Sequence, residues 1–321
     1  MRESIAISSK KLKSSDKKAI TMLLIMIVMI VISMIISPTF RSTTNLLNIL
    51  NQNAIYGVMA FGMGVCILTG AIDLSAGSVA ALAGVVATPL FRDYGLAAGL
   101  IGGLGIGALI GLVNGVLVMK VKVTYFVTTL GMMSVARGAV FIITNGIPIQ
   151  GVPREYNVIG MGKIAGSIPT AALIWFLCGI AMYLILKFTR FGQQIYAVGG
   201  SERAAWLSGV NTDRIRIAAF TICGFFSALG GLLLNTRVLM ATSDAADGYE
   251  LTVIAACIIG GISMDGGEGN ILSTIVGTII MGLILNMLQL LGISSFWTDA
   301  VTGAIIIGAV AIDSLSSKKR E

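Results

Sequence analysis

The chain has 321 residues, of which 56% are hydrophobic and only 12% charged, and its net charge is +7. The charged fraction is about half of the roughly 25% found in soluble domains, and the mean hydropathy is +0.93. Together these two values exclude an ordinary soluble domain. No histidine occurs, which excludes histidine-based triads, HExxH zinc sites and histidine proton relays. Most of the positive charges lie in the tails and loops, so no nucleic-acid partner is expected.

Apolar segments of membrane-helix length recur along the chain. A helix needs about 20 residues to cross a hydrocarbon core of about 30 Å. The hydropathy pattern predicts about ten segments, those near residues 75–91 and 250–264 being the least certain to cross fully. They lie near residues 19–37, 47–69, 75–91, 95–118, 124–144, 169–187, 215–236, 250–264, 271–292 and 296–313. The predicted fold class is all-α, a polytopic membrane helix bundle with some broken or re-entrant helices.

The basic residues indicate the orientation of this bundle. An even number of spans places both termini on one face, and 16 of the 22 Lys and Arg residues then fall on that face. Cytoplasmic loops carry the excess of Lys and Arg, so both termini are predicted to be cytoplasmic. Residues 1–18 form a basic N-terminal tail, residues 19–313 the transmembrane region and residues 314–321 a C-terminal tail. The run 19–37 is too long for a signal peptide and is predicted to be retained.

The fourth segment carries glycine at every fourth position from Gly95 to Gly115. Small residues at this spacing let neighbouring helices approach closely. We interpret the strip as dense helix packing, and a moving interface is the alternative.

Two glycine-rich stretches interrupt the apolar pattern: LTGAIDLSAGSVAALAG from Leu68 and IGGISMDGGEGNILSTIVG from Ile259. A shift of 192 residues places Asp73 on Asp265 and hints at a duplicated half. Broken helices at matching places in two halves line gates in transporters, because freed backbone groups can face a polar cavity. Tight cytoplasmic turns are an equally good interpretation.

A few polar residues within or beside the apolar segments are candidates for a translocation path or gate. Arg137 lies near the middle of the fifth segment, where an unpartnered guanidinium costs at least about 2.5 kcal/mol. We favour a structural ion pair for Arg137 over a substrate contact. The full candidate set is Asp73, Ser75, Gly77, Arg137, Asn145, Glu250 and Asp265.

The segment from residue 188 to residue 214, here called the polar segment, contains the soluble-looking stretch VGGSERAAWLSGVNTDRIR. Ser201 is suited to the N-cap of a short helix, Glu202 to its positive end and Gly209 to a left-handed stop. Ala204, Ala205 and Leu207 with Trp206 predict a compact apolar surface that packs into a partner, with Glu202 and Arg203 at a polar rim. A helix lying on lipid headgroups is the alternative.

Four stretches carry a family resemblance, in one order between about Asn45 and Asp313. They are TGAIDLSAGSVAALAG, YFVTTLGMMSVARGAVFIITNG, TRFGQQIYAVGGSERAAWLSGVNTDRIRI and YELTVIAACIIGGISMDGGEGNILSTIVGTIIMGLILNMLQLLGISSFWTDAVTGAIII. Together they resemble the permease subunits of bacterial ribose-type sugar ABC importers, a family that includes xylose, galactose and autoinducer-2 permeases. Ala71, Val210 and the stretch SMDGGEG depart from the usual pattern and leave the substrate open.

The resemblance implies a permease for a sugar or sugar-like solute that works by alternating access in the bacterial inner membrane. Its implied partners are a second copy of the chain, with a related permease as the alternative, a cytoplasmic ABC ATPase, an extracytoplasmic sugar-binding protein and membrane lipid. No GxxxxGK[ST] motif occurs, so no cofactor is expected on this chain, and ATP and Mg would bind the partner ATPase.

The resemblance also implies that the polar segment carries the contact with the ATPase. The implied ATPase-coupling residues are Gly199, Gly200, Ser201, Glu202, Arg203, Ala204, Ala205, Leu207, Ser208 and Gly209. A stand-alone ion-coupled secondary transporter is the alternative function. A membrane enzyme is disfavoured because no catalytic constellation is recognisable.

Overall fold

The computed structural model describes residues 14–164, 166–294 and 296–317. Within these residues the chain forms thirteen α-helices and four two-residue strands. The helices are α1 (Ser14–Ile36), α2 (Thr43–Leu68), α3 (Ala76–Tyr94), α4 (Leu96–Met119), α5 (Tyr125–Thr144), α6 (Asn157–Gly160), α7 (Thr170–Phe188), α8 (Arg190–Gly200), α9 (Glu202–Leu207), α10 (Thr212–Val238), α11 (Tyr249–Ile259), α12 (Ser273–Leu290) and α13 (Phe296–Ser317). Short 3₁₀ turns cover Pro38–Arg41 and Arg154–Tyr156.

The four strands form two small antiparallel pairs beside the helices. Strand β1 (Ile149–Gln150) pairs with β4 (Met240–Ala241), and β2 (Lys163–Ile164) pairs with β3 (Ile168–Pro169). The β1–β4 pair joins the end of α10 to the connection that follows α5. The predicted class, a helical bundle, is therefore confirmed, with these two short pairs added to it.

Each predicted apolar segment corresponds to a helix in the described residues, although several boundaries differ. Helix α1 includes residues 14–18 and α13 continues to Ser317, so helices extend into both predicted tails. Residues 1–13 and 318–321 of those tails lie outside the described residues. The added residues at the start of α1 are polar (Ser, Ser, Asp, Lys, Lys), so the helix there extends beyond the apolar run.

Five described helices are long and apolar enough to cross a membrane, namely α4, α5, α7, α10 and α12. Helix α11 has 11 residues and rises only about 16 Å at 1.5 Å per residue, about half of a hydrocarbon core. The segment near residues 250–264, whose full crossing the sequence left open, is a helix only as far as Ile259, where the second interrupted stretch begins. The number of spans and the side of the termini stay predictions.

Helices α2 and α10 form the centre of the bundle. Every residue of α2 from Asn53 to Leu68 is buried, and α10 packs against α2, α3 and α4. Phe61 of α2 meets Phe226 of α10 with their ring centroids 6.4 Å apart. Because α2 is enclosed on all sides along this stretch, its C-terminal end is a rigid point to which the connecting segments attach.

Most of the glycine strip of α4 lies against α10 and Gly99 lies against Phe91 of α3, which confirms the dense-packing interpretation. Gly99, Gly103, Gly107, Gly111 and Gly115 are buried. A Cβ atom added to Gly107 would lie 2.5 Å from the carbonyl oxygen of Gly224, and one added to Gly111 would overlap the carbonyl of Phe220. Only glycine allows the two backbones to come this close. Gly95 differs from the rest, because its φ of 86° ends α3 before α4 begins.

Replacing Gly111 with alanine is expected to lower the stability of the bundle. The added methyl group meets backbone rather than a flexible side chain, and such overpacking costs about 1–3 kcal/mol. Gly105→Ala is the matched control, since a Cβ there meets nothing within 4 Å. Thermal unfolding of the purified variants in detergent measures the difference. Equal midpoints for Gly111→Ala and Gly105→Ala would contradict the close packing of α4 on α10.

Candidate functional site

The polar segment folds as two helices, α8 and α9, followed by a tight turn into α10. The Ser201 hydroxyl accepts a hydrogen bond from the Ala204 backbone N–H at 3.3 Å, and Gly209 has a φ of 83°. The predicted N-cap and the predicted left-handed stop are thus confirmed. Gly199 and Gly200 form the last turn of α8 rather than a loop before α9.

The two faces of α9 have different surroundings. Trp206 and Leu207 are 65% and 70% exposed, and Ala204 is exposed beside them. Ala205 is only 4% exposed and packs in the protein's own core. The prediction that Ala205 belongs to the outward apolar surface is therefore wrong, because the helix needs one small residue on the face that rests on the bundle.

The polar residues of α9 are divided in the same way. Glu202 forms an ion pair with Arg216 of α10, with 2.8 Å between Oε2 and Nη1. Arg203 is exposed, and the Ser208 hydroxyl donates to the Ala204 carbonyl at 2.9 Å. Glu202 is therefore bound to the bundle, while Arg203 remains at the outer rim.

A backbone contact joins the polar segment to both interrupted stretches. We call it the glycine junction and define it as Gly70, Gly199, Gly200, Gly266 and Gly267. The Gly267 N–H donates to the Leu68 carbonyl at 2.9 Å. A Cβ atom on Gly266 would lie 2.8 Å from the Gly70 nitrogen, and one on Gly199 would overlap the Leu68 carbonyl. Three separate parts of the chain thus meet backbone to backbone, and a side chain at Gly199, Gly266 or Gly267 would clash with backbone atoms there.

The two interrupted stretches begin with the same helix ending. Gly70 and Gly261 have φ of 77° and 84°, and the N–H groups of the residues that come after these glycines donate back to Cys66 and Cys257 at 3.2 and 3.1 Å. These glycines are 191 residues apart, so the matching register places Asp73 on Met264. The predicted equivalence of Asp73 and Asp265 at a shift of 192 is therefore wrong by one residue.

Asp73 and Ser75 lie together in the turn before α3. Asp73 is 1% exposed, and its Oδ1 accepts from the Ser75 N–H at 2.9 Å and from the Ser75 hydroxyl at 2.5 Å. The Asn114 amide of α4 reaches Asp73 Oδ2 at 3.4 Å and Ser75 Oγ at 3.0 Å. A buried carboxylate needs such donors, and this set ties the start of α3 to α4.

Gly77 and Glu250, which are far apart in the sequence, lie next to each other in the fold. A Cβ on Gly77 would lie 2.5 Å from the Ala246 carbonyl and would overlap the Glu250 carboxylate. Glu250 is 9% exposed in the first turn of α11. The start of α3 thus lies directly beside the start of α11, so the N-terminal ends of two helices meet there.

Arg137 holds the irregular loop that precedes α11. Its Nη1 donates to the carbonyls of Ser243 and Ala245, both at 2.9 Å. Its Nη2 lies 3.7 Å from the exposed carboxylate of Asp247. These two carbonyls lie outside any helix, and the guanidinium supplies the donor that they need, so the geometry agrees with a structural role for Arg137.

The other two candidate path residues lie apart from these groups. Asn145 is exposed and ends α5 with a φ of 51°. Asp265 is exposed in the turn opposite Gly70. The structure therefore gathers Asp73 with Ser75 and Gly77 with Glu250, and does not bring Asn145 or Asp265 to either pair.

A cavity of about 390 Å³ lies between α3, α10 and the loop before α11, within the size range of small-molecule sites. Its lining is mainly apolar, with few polar groups. It includes Ala80, Gly84, Gly231, Thr242, Asp244 and Tyr249. Among the described residues, no three His, Cys, Asp or Glu side chains lie close enough together to hold a metal ion.

Two residues of this region escaped the sequence reasoning. Asn114 interrupts a nearly uniform apolar and glycine segment, and a buried amide there is a signal that could have been weighed. The charge of Arg216 indicates orientation in the sequence, but its pairing with Glu202 has no sequence signal. Near Arg216 in the first turn of α10, Asp213 accepts a hydrogen bond from the Lys120 amine at 2.8 Å. This bond attaches the α4–α5 connection to α10.

A family profile described as "Branched-chain amino acid transport system / permease component" matches residues 45–310. The chain belongs to this permease family. Ribose import permease protein RbsC of Escherichia coli K12 is 39% identical over 303 residues, 93% of each chain. RbsC of Bacillus subtilis is 39% identical over 286 residues, 88% of each chain. The galactose/methyl galactoside import permease protein MglC of Escherichia coli K12 is 35% identical over 88% of this chain and 90% of its own. No solved structure matches.

Gly199→Ala is expected to destabilise the permease, because the methyl group would overlap the Leu68 carbonyl. Overpacking against backbone costs about 1–3 kcal/mol. Gly200→Ala is the matched comparison on the next residue, where a Cβ meets nothing within 4 Å. Unfolding midpoints of the two purified variants measure the effect. If Gly199→Ala unfolds at the same temperature as Gly200→Ala, the glycine junction is looser than the distances indicate.

Arg137→Met should destabilise the loop before α11, since it leaves the Ser243 and Ala245 carbonyls without their donor. Both residues are half-buried, so the loss should not exceed the cost of about 1–3 kcal/mol for each unsatisfied buried acceptor. Arg154→Met, at an exposed arginine, serves as the control. Limited proteolysis between residues 242 and 248 reports the loop directly, and unchanged cleavage in Arg137→Met would show that other contacts hold it.

Proposed function

We propose that this permease carries a sugar or sugar-like solute across the bacterial cytoplasmic membrane, as the transmembrane subunit of an ATP-binding-cassette importer. The observation that carries the proposal is the 39% identity to a ribose import permease over 93% of both chains. The relative named for galactose and methyl galactoside import is similar over 88% of this chain. Ribose is therefore the first solute to test.

The proposed topology has about ten membrane crossings with both termini in the cytoplasm. In support, every predicted segment has a helix in the described residues. The polar segment lies between α7 and α10, on the face that receives 16 of the 22 cations. That distribution is the one expected of a cytoplasmic surface.

The polar segment is proposed to dock a cytoplasmic ATPase, which would bind ATP and Mg itself. Trp206 and Leu207 support this role, because two large apolar side chains side by side are 65% and 70% exposed on a face of α9. Aromatic anchors such as Trp206 dominate the binding energy of many protein interfaces, and apolar neighbours such as Leu207 help to exclude water around them. The residues implied to carry coupling, from Gly199 to Gly209, all lie in this part of the fold.

The remaining proposed partners are a second copy of the chain, an extracytoplasmic sugar-binding protein and membrane lipid.

Alternating access requires that a movement of α9 reaches the helices that line the translocation path. The glycine junction supports this requirement, because it connects α8 directly to the end of α2 and to the turn between α11 and α12. Asp265 and Asp73 are the proposed path or gate residues nearest to that junction, since the Asp265 carbonyl lies opposite Gly70 and Asp73 is three residues further along the chain.

Reconstitution tests the proposed function. Proteoliposomes that contain the permease with its ATPase partner and sugar-binding protein are expected to accumulate radiolabelled ribose only with ATP and Mg. Uptake by the permease alone, driven by a proton gradient without the ATPase, would instead establish an ion-coupled secondary transporter. Buried Asp73 would then be the acid to examine first.

The double variant Trp206→Ser, Leu207→Ser is expected to lose co-purification with the ATPase and ATP-driven ribose uptake. The change removes the two exposed anchors, and losing such anchors typically costs at least about 2 kcal/mol each. Ile147→Ser is the control for a lost exposed apolar group, as Ile147 is 68% exposed at a distant turn. Membrane insertion should be equal for all three proteins. Retained ATPase binding in the double variant would rule out α9 as the docking helix.

A further inference from the structure

Arg216 connects three helices at one point. Its Nη1 lies 2.8 Å from Oε2 of Glu202, the first residue of α9. Its Nε donates to the carbonyl of Thr69, the residue that follows α2, at 3.3 Å. Arg216 itself belongs to the first turns of α10, and its side chain is 21% exposed. One guanidinium thus binds α9 and the end of α2 at the same time.

The Thr69 carbonyl is a specific kind of acceptor. The last carbonyls of a helix lack intrahelical partners and carry its partial negative charge, so a cation there is favourable. Thr69 also begins the interrupted stretch that leads through Gly70 to Asp73. A group that binds this carbonyl therefore holds the turn from which α3 starts.

The carbonyl of Leu68, next to that of Thr69, is in contact with the polar segment. Gly199 lies against the Leu68 carbonyl, and Arg216, paired with Glu202, binds the Thr69 carbonyl. The polar segment is thus attached to two consecutive residues at the end of α2. Two adjacent attachments resist rotation as well as translation, which a single contact does not.

We propose that Arg216 is a positioning residue that transmits the position of α9 to the interrupted stretch 69–75, and through it to α3. The inference rests on the proposed function, in which the ATPase moves α9. An arginine suits the task, because its planar fork presents several donors in a fixed geometry to Glu202 and Thr69 together. A lysine offers one compact charge and cannot hold both partners in that geometry.

A structural role and a transmitting role predict different results. The Glu202 carboxylate is 45% exposed, and ion pairs at this exposure contribute little to stability because water screens them. Loss of the pair should hardly change unfolding. If Arg216 transmits movement, its loss should instead lower the amount of solute moved per ATP hydrolysed.

The experiment uses the permease with its ATPase and binding protein in proteoliposomes, with radiolabelled ribose as the probe. Arg216→Gln is expected to keep ATPase co-purification and ATP hydrolysis while ribose uptake per ATP falls roughly tenfold, within the usual range of coupling factors. Arg216→Lys should give an intermediate ratio. Lys122→Gln, which removes an exposed cation whose ion pair with Asp213 is 3.9 Å long, should leave the ratio unchanged.

An unchanged ratio of ribose to ATP in Arg216→Gln would overturn the inference and leave the proposed function intact. That function is tested separately by the Trp206 and Leu207 variants. If Arg216→Gln does not fold, the exchanged pair Glu202→Arg, Arg216→Glu decides, because it keeps an ion pair but places no donor on the Thr69 carbonyl. The exchanged pair should fold and transport poorly per ATP, and a normal ratio in it would equally overturn the inference.

Discussion

The arrangement depends on a backbone contact between three glycine-rich segments, with the Gly267 N–H bound to the Leu68 carbonyl and α8 lying across both. A side chain between two segments can change rotamer when one segment moves, whereas two backbones in direct contact transmit a displacement to each other. Because α2 is buried along its whole inner half, this contact has a rigid base. A displacement of the polar segment, as the proposed function requires, would therefore reach the two interrupted stretches through backbone contact, in addition to the contact made by Arg216.

Local chemistry made much of the fold predictable. The length of each apolar run predicts a membrane helix, and each of these runs contains a helix in the described residues. Ser201 and Gly209 bound α9 as their capping preferences require, because caps depend on the nearest three or four residues only. The glycine strip of α4 likewise contacts another helix, since residues four apart lie on one side over a few turns.

The features that the sequence left open depend on contacts between distant parts of the chain. Arg216 and Thr69 are separated by 147 positions, and Asn114 and Asp73 by 41. Their pairing arises from helix packing, on which a single sequence carries no direct information. The one-residue error that paired Asp73 with Asp265 has a related cause: residue types were matched, while the structures repeat at the left-handed glycines Gly70 and Gly261.

The two interrupted stretches therefore share a beginning but differ in the turns that come after it. After Gly70 the chain reaches α3 through a short, buried turn that holds Asp73 against Asn114. After Gly261 it makes a longer, more exposed turn that returns to the polar segment at Gly267 before α12 begins. The first turn is fixed to the bundle by side chains and the second to the polar segment by backbone. A movement of α8 and α9 would therefore reach both the end of α2 and the turn before α12. The buried turn that contains Asp73 would carry the movement of α2 to the start of α3, which lies beside Glu250.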